Sequence, residues 1–405
     1  MVDQHHVSNC RLCGGASLRP VILLPSMPFT DEFVTQERLG KEFVADICIV
    51  ACEECGAAQN ASDTEMGDYY RDYTYTVQSS PFAMRFMQSL AHGVVSRIAT
   101  RTGSPAVLEI GSGSGEQLME FQKLGCKVVG VEPSSKLSDF ANQHGVYTIQ
   151  GFFGESVSGE VERQVGQIDA VVTSYTFDHI PRPVEVLKVI HSMLRDEGLL
   201  VIEVHDLDLI GKRNEFCLFE HEHYTYLNER TMADVLGRNG FEVETYSLLD
   251  DSMKRGNSLL VVARKRTNPR VSAVRVSEEL AALRAIQQNV RGAIANVDAW
   301  LSVNQDKTIV AYGAGGRGVM TTAALSNCEM LSYMVDKNPK AIDVYAPKTH
   351  LPVFGIEELG KRRADLVLVF SFGYMEEIVS ELQSLYGYEP QQFVSVLELL
   401  AGGRT

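Results

Sequence analysis

Long apolar segments and clusters of basic residues are both missing from this sequence of 405 residues. No apolar run reaches the ~18 residues that a membrane-spanning helix needs, and the first residues lack the pattern of a secretion signal. The formal net charge is −15 at pH 7, which disfavours binding to the phosphate backbone of nucleic acid. We therefore expect a cytoplasmic protein that binds neither a membrane nor nucleic acid.

Cysteines are also sparse, because eight in this length cannot form a disulfide scaffold. Four of them form two C-x-x-C pairs, Cys10 with Cys13 and Cys52 with Cys55. Two such pairs supply four thiolates for a tetrahedral Zn²⁺ site, which would be structural because no coordination position stays open. A redox dithiol or unrelated free cysteines are the alternatives. Cys48 could replace one ligand, although its apolar surroundings are more typical of a strand residue.

The length of the chain indicates several domains, since single cores rarely grow beyond ~250–300 residues. A hydrophobic share of 45% and a charged share of 22% are typical of a globular protein, which excludes wholesale disorder. Apolar strands alternate with helical segments in the central and C-terminal parts, which predicts largely parallel α/β sheets. We predict a zinc-binding domain at 1–68, a central domain at 69–266, and a linker helix capped by Ser277 with a second α/β domain at 267–405.

The segment VLEIGSGSGEQ contains a glycine loop between a strand and a helix, with Glu109, Gly111, Gly113 and Gly115. Glycines let the backbone approach a ligand closely, and the helix N-terminus offers free N–H groups. Glu132 ends the next strand, where a carboxylate can accept both hydroxyls of a ribose. This arrangement resembles the S-adenosylmethionine site of class I methyltransferases. A nicotinamide site is the alternative, which the G-x-G-x-G spacing disfavours.

Two adjacent aromatic residues in the segment GFFGES are candidates for contact with an adenine ring. Either Phe152 or Phe153 could stack on the base. Packing in the core is the alternative for both.

A second glycine loop, in TIVAYGAGGRGVM, has the G-x-G-x-x-G spacing of a dinucleotide site at Gly313, Gly315 and Gly318. Asp336 follows at the end of the next strand, and Arg317 inside the loop could bind an anion. The loop therefore predicts a site for a molecule that carries a pyrophosphate. A Rossmann-like fold with an empty loop is the alternative.

The stretch CLFEHEHYTYLN places Glu220, His221, Glu222 and His223 in a row. The zinc-protease spacing H-E-x-x-H is absent. Aromatic neighbours would exclude water and move the pKa values of these groups toward neutrality, as proton abstraction beside a carbonyl requires. A solvated loop with chance histidines is the alternative.

The order of these parts resembles the nucleotide-sugar C-methyltransferases of deoxysugar biosynthesis. The resemblance extends through nearly the whole chain and rests on the segments DYTYTVQSS, FDHIPRP, EHEHYTY, RGNS, YGAGGRG and PKTHLP. It implies an α/β fold with a small zinc-binding domain, a class I methyltransferase core and a C-terminal Rossmann-like domain. It also implies S-adenosylmethionine as the cofactor and a nucleotide-linked 4-keto sugar, for example dTDP-linked, as the substrate.

The resemblance also implies roles for individual residues. His223 is the expected base for proton abstraction, Glu222 orients it, His179 holds the oxygen on which charge develops, and Glu220 and His221 are further catalytic candidates. Tyr75 is expected at the cofactor. The expected substrate-binding residues are Tyr73, Tyr175, Tyr226, Arg255, Asn257, Gly313, Arg317 and Asp336.

Three residues depart from the family pattern. Glu220 stands where the family has a tyrosine, Arg255 where it commonly has a histidine, and Tyr175 where it has an asparagine. Methyl transfer to a sugar oxygen or nitrogen, a nucleotide-binding module without catalysis, and NAD-dependent oxidoreduction therefore stay as alternatives. A monomer is expected because the sequence shows neither a heptad pattern nor an exposed apolar stripe.

Overall fold

The computed structural model describes residues 4–64, 66–71, 80–98, 103–254, 256–337 and 342–403. Three residues selected from the sequence, Tyr73, Tyr75 and Arg255, lie outside the described residues.

Strands and helices alternate through most of the described chain. The strands are β1 (Gln4–His6), β2 (Leu18–Pro28), β3 (Val44–Cys52), β4 (Ala58–Asn60), β5 (Ser62–Thr64), β6 (Ala106–Ile110), β7 (Lys127–Glu132), β8 (Thr148–Gln150), β9 (Ile168–Ser174), β10 (Leu194–Val204), β11 (Thr225–Tyr226), β12 (Phe241–Thr245), β13 (Leu259–Lys265), β14 (Ile309–Tyr312), β15 (Leu331–Asp336), β16 (Val344–Tyr345), β17 (Pro352–Gly355), β18 (Leu366–Val369) and β19 (Phe393–Ser395). The helices are α1 (Gly67–Arg71), α2 (Pro81–Val95), α3 (Glu116–Lys123), α4 (Ser135–Gln143), α5 (Glu155–Val165), α6 (Pro183–Met193), α7 (Leu207–Arg213), α8 (Glu229–Arg238), α9 (Val276–Val303), α10 (Gly316–Ala324), α11 (Glu358–Lys361), α12 (Met375–Tyr386) and α13 (Val396–Leu400). No helix within these described residues is both long enough and apolar enough to cross a membrane.

The N-terminal part is an antiparallel sheet in which β2, β3 and β4 are neighbours. Strand β11, from the central part of the chain, extends this sheet by pairing with β4. Thr225 lies opposite Gln59, and Tyr226 lies opposite Ala58. The segment directly after His223 is therefore held by the sheet that carries Cys52.

The central sheet has the order β12-β13-β10-β9-β6-β7-β8 among the described strands. Strands β10, β9, β6, β7 and β8 are parallel, and β12 and β13 run antiparallel to their neighbours. Successive side chains of a strand point to opposite faces, and Val107 and Leu108 accordingly pack in two different apolar cores. The predicted α/β class is confirmed, and the carboxyl ends of β6, β7, β9 and β10 meet at one edge.

The C-terminal sheet has the order β16-β17-β15-β14-β18-β19 among the described strands, with β16 antiparallel and the others parallel. A Cβ atom added at Gly318 would lie 1.9 Å from the carbonyl oxygen of Gly313, so α10 needs glycine there to begin so close to the loop. This is the structural reason for the last glycine of the second loop.

Helix α9 packs against both the N-terminal sheet and the C-terminal domain, because its buried Val297 and Leu301 belong to one apolar core with residues of both. The prediction that Ser277 caps this helix was wrong. The helix begins at Val276, and Arg275 precedes it without a side-chain capping bond. Ser277 therefore lies inside the first turn.

Candidate active site

The four cysteines of the two C-x-x-C pairs converge at one point. Their Sγ atoms lie within 4.8 Å of one another, and the Sγ–Sγ distances are 3.7 Å between Cys10 and Cys55 and 3.6 Å between Cys13 and Cys52. A tetrahedron of sulfurs at ~2.3 Å from Zn²⁺ has edges of about 3.8 Å, so the residues fit the ion. Cys48 lies within β3 and does not belong to this group. The four cysteines expected from the sequence as zinc ligands therefore lie together in one cluster.

A cleft of about 1800 Å³ is lined by residues from the N-terminal, central and C-terminal parts of the chain. The residues selected from the sequence that line it are Glu109, Gly111, Gly113, Glu132, Phe152, Phe153, Tyr175, His179, Glu220, Glu222, His223, Asn257, Gly313, Gly315, Arg317 and Gly318. Four further selected residues do not line it: Gly115, His221, Tyr226 and Asp336. The two glycine loops and most of the EHEH stretch thus share one cavity.

One end of the cleft has the features of an S-adenosylmethionine pocket. Gly111 has φ +73°, and a Cβ there would lie 2.2 Å from Thr176 Oγ1, so only glycine lets the backbone take this path. The backbone N–H of Gly113 donates to Glu132 Oε2 at 2.9 Å, and the N–H of Ser134 donates to Oε1 at 2.8 Å. Each carboxylate oxygen keeps a second lone pair that can accept a ribose hydroxyl. The residues therefore fit the cofactor.

The replacement Glu132→Gln tests this pocket. Burial raises the pKa of Glu132, while the two amide bonds act in the opposite direction and favour the carboxylate. A glutamine amide supplies one acceptor oxygen instead of two, so we expect the Kd for S-adenosylhomocysteine to rise roughly tenfold to hundredfold. Isothermal titration calorimetry measures it. Glu162→Gln, at an exposed position of α5 that does not line the cleft, is the control, and equal Kd values for both variants would contradict the assignment.

Phe152 and Phe153 differ in their surroundings although both line the cleft. Phe152 is 59% exposed, and its ring makes an edge contact with Tyr70 at 6.2 Å between centroids. Phe153 is half-buried and packs on an apolar core. The exposed ring of Phe152 is therefore the better placed to meet an adenine.

The protonation of His223 follows from its hydrogen bonds. Nδ1 lies 3.0 Å from the carbonyl oxygen of Leu218, which can only accept, so Nδ1 carries the proton. In the neutral ring Nε2 is then an unprotonated acceptor. Nε2 lies 3.7 Å from Glu220 Oε2. His223 consequently offers the lone pair that a general base needs.

Glu220 and Glu222 form a buried carboxyl pair beside this base. Thr30 Oγ1 donates to Glu222 Oε1 at 2.9 Å. Burial raises the pKa of Glu220, and the negative charge of Glu222 raises it further. Two adjacent buried carboxylates do not both ionise readily, so Glu220 holds a proton and acts as a hydrogen-bond donor in the resting site.

His179 lies on the other side of His223, with 4.5 Å between the ring centroids and the planes perpendicular. Its Nδ1 lies 2.7 Å from the hydroxyl oxygen of Tyr70, and its Nε2 lies 3.9 Å from Asp178 Oδ1. Burial lowers the pKa of His179 to about 4, and a positive charge on His223 would lower it too. The ring is therefore neutral at physiological pH and can serve as a hydrogen-bond donor to a substrate oxygen.

Asp178 and His205 were not selected from the sequence. His205 directly follows β10 and lines the cleft, and its Nδ1 lies 3.2 Å from Asp178 Oδ2. Burial opposes ionisation of Asp178, but the bond from His205 and the nearby imidazoles lower its pKa overall. Burial lowers the pKa of His205. Ligands of α/β sheets bind at the carboxyl ends of the strands, and this rule applied to β10 would have found His205.

His221 and Tyr226 lie behind the cleft surface and support it. His221 is fully buried, and its Nε2 donates to the carbonyl oxygen of Met27 at 2.9 Å. Its ring packs edge-on against Phe43. The hydroxyl oxygen of Tyr226 accepts from the backbone N–H of Glu220 at 3.1 Å. Both side chains thus fix the backbone of the EHEH stretch.

Tyr175 and Asn257 connect two loops of the cleft wall. The Tyr175 hydroxyl donates to the carbonyl oxygen of Asn257 at 2.7 Å. The side chain of Asn257 accepts from the backbone N–H of Asp206 at 2.8 Å and donates to Glu215 Oε2 at 2.8 Å. The amide of Asn257 is therefore engaged within the wall.

Asp336 and Arg317 have different relations to the second glycine loop. Asp336 Oδ2 accepts from the backbone N–H of Ala314 at 2.6 Å and so shapes the loop. Arg317 lines the cleft at the first turn of α10, and its Nη2 lies 3.6 Å from Oε1 of the fully buried Glu215. A guanidinium beside a helix N-terminus suits an anionic group.

Three family models match consecutive segments of the chain. They are described as "Putative zinc binding domain" at residues 10–67, "Methyltransferase domain" at residues 83–246 and "C-methyltransferase C-terminal domain" at residues 254–397. Together they follow the order of parts predicted from the sequence.

Known proteins resemble the chain to different extents. C-methyltransferase NovU of Streptomyces niveus is 26% identical over 400 residues, which cover 92% of this chain and 91% of NovU. Protein-L-isoaspartate O-methyltransferase of Chlorobaculum parvum is 26% identical over 170 residues, which cover 40% of this chain and 69% of that protein. The crystal structure of 1,6-didemethyltoxoflavin-N1-methyltransferase of Burkholderia thailandensis, with bound S-adenosylhomocysteine, has a TM-score of 0.34 at 19% identity and covers 47% of this chain and 81% of that chain. The likeness to NovU extends through all three matched segments.

Proposed function

We propose that this chain, an S-adenosylmethionine-dependent enzyme of the C-methyltransferase family, methylates a carbon next to a ketone on a nucleotide-linked sugar. One observation carries the proposal: the loop at Gly111 and the side chains of Glu220, Glu222 and His223 line the same cleft. A C–H bond is a poor nucleophile, so methylation of carbon needs a base within reach of the methyl donor. The cleft brings these two requirements together.

His223 is the base in this proposal. Its Nδ1 proton is held by the carbonyl oxygen of Leu218, so Nε2 is free to take the proton that the neighbouring ketone makes acidic. Glu222 lies nearby as the negative charge that favours the imidazolium formed in this step. Glu220, as a protonated acid, donates a hydrogen bond rather than competing for the proton.

His179 stabilises the enolate that remains after proton removal. A neutral imidazole that donates from Nε2 can hold the ketone oxygen while negative charge develops on it. The bond between Tyr70 and Nδ1 fixes the orientation of the ring. Bound S-adenosylmethionine supplies the methyl group on a positively charged sulfur, and the loop at Gly111 with Glu132 holds it within the same cleft as the enolate.

The nucleotide part of the substrate binds to the C-terminal domain in this proposal. Glycines of the loop from Gly313 to Gly318 line the cleft together with Arg317. A pyrophosphate on these groups, for example that of a dTDP sugar, would place the sugar ring among the histidines. We further propose that the enzyme acts as a monomer on a cytoplasmic substrate.

The test uses a dTDP-linked 4-keto-6-deoxyhexose, S-adenosylmethionine and the full chain. We expect a product with a new C–CH₃ group, identified by NMR. With S-adenosylhomocysteine in heavy water, we expect the substrate to exchange its α-hydrogen for deuterium without methylation. Methylation of the reduced 4-hydroxy sugar on oxygen, or absence of S-adenosylmethionine binding in calorimetry, would contradict the proposal.

A further inference from the structure

Three residues with hydrogen-bond acceptors, Asp178, His205 and His223, lie close together, and the two histidines line the cleft. Asp178 is ionised and can only accept, so His205 Nδ1 carries a proton and His205 Nε2 is an unprotonated acceptor. His223 Nε2 is an acceptor for the equivalent reason, since Nδ1 donates to Leu218. One ligating atom from each of Asp178, His205 and His223 lies within 4.8 Å of the others.

The carboxylate of Asp178 has one oxygen without a hydrogen-bond partner among the described residues. Asp178 is 3% exposed, and this oxygen is Oδ1; the ring nitrogen of His179 lies 3.9 Å away. Buried acceptors without partners are costly, so a ligand or a water that brings a donor to this corner is favoured. The corner therefore suits a group that carries hydrogens on oxygen or nitrogen.

We propose that His205 is a specificity-determining residue, whose Nε2 accepts a hydrogen bond from a hydroxyl or amino substituent on the methylated carbon or on the ring carbon beside it. Asp178 is a positioning residue that holds the ring in the accepting tautomer. The inference rests on the proposed function and adds to it a requirement on the substrate, namely a donor group on or next to the reacting carbon.

The position of His205 agrees with such a contact. Its ring centroid lies 5.1 Å from that of His223. A substituent bound at His205 would therefore be one or two bonds along the sugar from the hydrogen that His223 removes. The ring of Tyr175 packs against His205 at 4.7 Å and restricts its rotation. The ring that carries the acceptor is thus held in place at the cleft, which His205 and His223 both line.

The same corner favours a cationic amine as well as a hydroxyl. Asp178 is a carboxylate and Glu222 lines the cleft, so negative charge is available to a bound cation, although the charge of Arg317 acts in the opposite direction on His205. A protonated amine could donate one hydrogen to His205 Nε2 and another to the carboxylate of Asp178, which leaves His223 Nε2 available to remove the α-hydrogen. A methoxy group, which has no hydrogen to donate, would not fit this pattern.

The experiment compares dTDP-linked 4-keto-6-deoxyhexoses that differ in one substituent, first at C2 and then at C3. At each position one compound carries a hydroxyl, a second carries a hydrogen, and a third carries an amino group. At one of the two positions, we expect the wild-type kcat/KM to be roughly tenfold to hundredfold lower for the deoxy compound than for the hydroxyl compound. The amino compound should be accepted. Absence of discrimination at both positions would overturn the inference without any mutation.

Variants then assign the discrimination to His205. In His205→Ala the hydroxyl and deoxy compounds should have kcat/KM values within about threefold, whereas His205→Gln, whose amide oxygen can replace Nε2, should keep part of the preference. Kd for S-adenosylhomocysteine and the thermal midpoint show that each variant is folded. An equal loss on both compounds in His205→Ala would mean a structural role and would overturn the inference.

Two further readouts separate the competing outcomes. Metal analysis should find about one Zn²⁺ per chain in wild type and in His205→Ala, since one four-cysteine site is expected to bind it. A second metal ion that is lost in His205→Ala would overturn the inference in favour of a metal site. If no keto sugar is methylated on carbon, the proposed function fails, while calorimetric Kd values for the same sugars still report on His205.

Discussion

Replacing His223 with alanine should lower the rate of α-hydrogen exchange by roughly 10²–10⁴-fold, which is the usual contribution of a general base. Nε2 of His223 is the unprotonated nitrogen that faces Glu220 across 3.7 Å, and Glu220 itself is held in its protonated form. Loss of the imidazole therefore leaves no equivalent acceptor in that position. The measurement is deuterium uptake by the keto sugar with S-adenosylhomocysteine in heavy water, followed by NMR.

Methyl transfer in His223→Ala should fall by a similar factor, because it depends on the same enolate. The affinity for S-adenosylhomocysteine should stay within about twofold of wild type, since the cofactor loop at Gly111 follows β6 and His223 precedes β11. His92→Ala, at an exposed position of α2, serves as the control and should retain full exchange. Wild-type exchange in His223→Ala would show that the base is another residue of the cleft.

Features that depend on local sequence were predictable. Gly111 and Gly318 lie where any larger side chain would clash, and such glycines occur at fixed offsets from apolar strands. Both loops are therefore recognisable in the sequence. The two C-x-x-C pairs carry their chemistry in their spacing. The Ser277 cap failed because a helix boundary depends on tertiary packing as well as on capping residues, and boundaries are less certain than the helix itself.

Features that depend on contacts between distant segments were not predictable. Asp178 and His205 are 27 residues apart and meet only because β9 and β10 are neighbours in the sheet. His221 and His223 are both histidines and lie two positions apart, but the ring of His221 donates to the carbonyl oxygen of Met27 in the N-terminal sheet. No periodicity within the EHEH stretch distinguishes these two histidines. Their roles follow from which partner the fold brings to each ring.

The zinc-binding domain reaches the catalytic residues through Arg11, which lies between the first two zinc ligands. Its guanidinium lies 5.0 Å from the ring centroid of Tyr224, forms an ion pair with Asp63 at 2.6 Å, and donates to the carbonyl oxygen of Pro181 at 3.0 Å. The backbone N–H of Tyr224 in turn donates to the carbonyl oxygen of Asp178 at 2.7 Å. The metal site is thereby connected to the two loops that carry His179 and His223.

Loss of zinc should therefore impair catalysis as well as stability. In Cys52→Ser one of the four ligands is lost at the end of β3, and we expect the free energy of unfolding to fall by on the order of 4 kcal/mol, as for other structural metal sites. The pairing of β4 with β11 and the contacts of Arg11 then lose their support, so α-hydrogen exchange should fall at least about tenfold even in the fraction that stays folded. Metal content, thermal unfolding and exchange rates measure the three effects.

Cys48→Ser is the control, because it changes a half-buried cysteine of the same strand that is not a ligand. The Cys48→Ser protein should keep its zinc and its activity. Full activity in a zinc-free Cys52→Ser protein would show that the catalytic loops hold their positions without the metal.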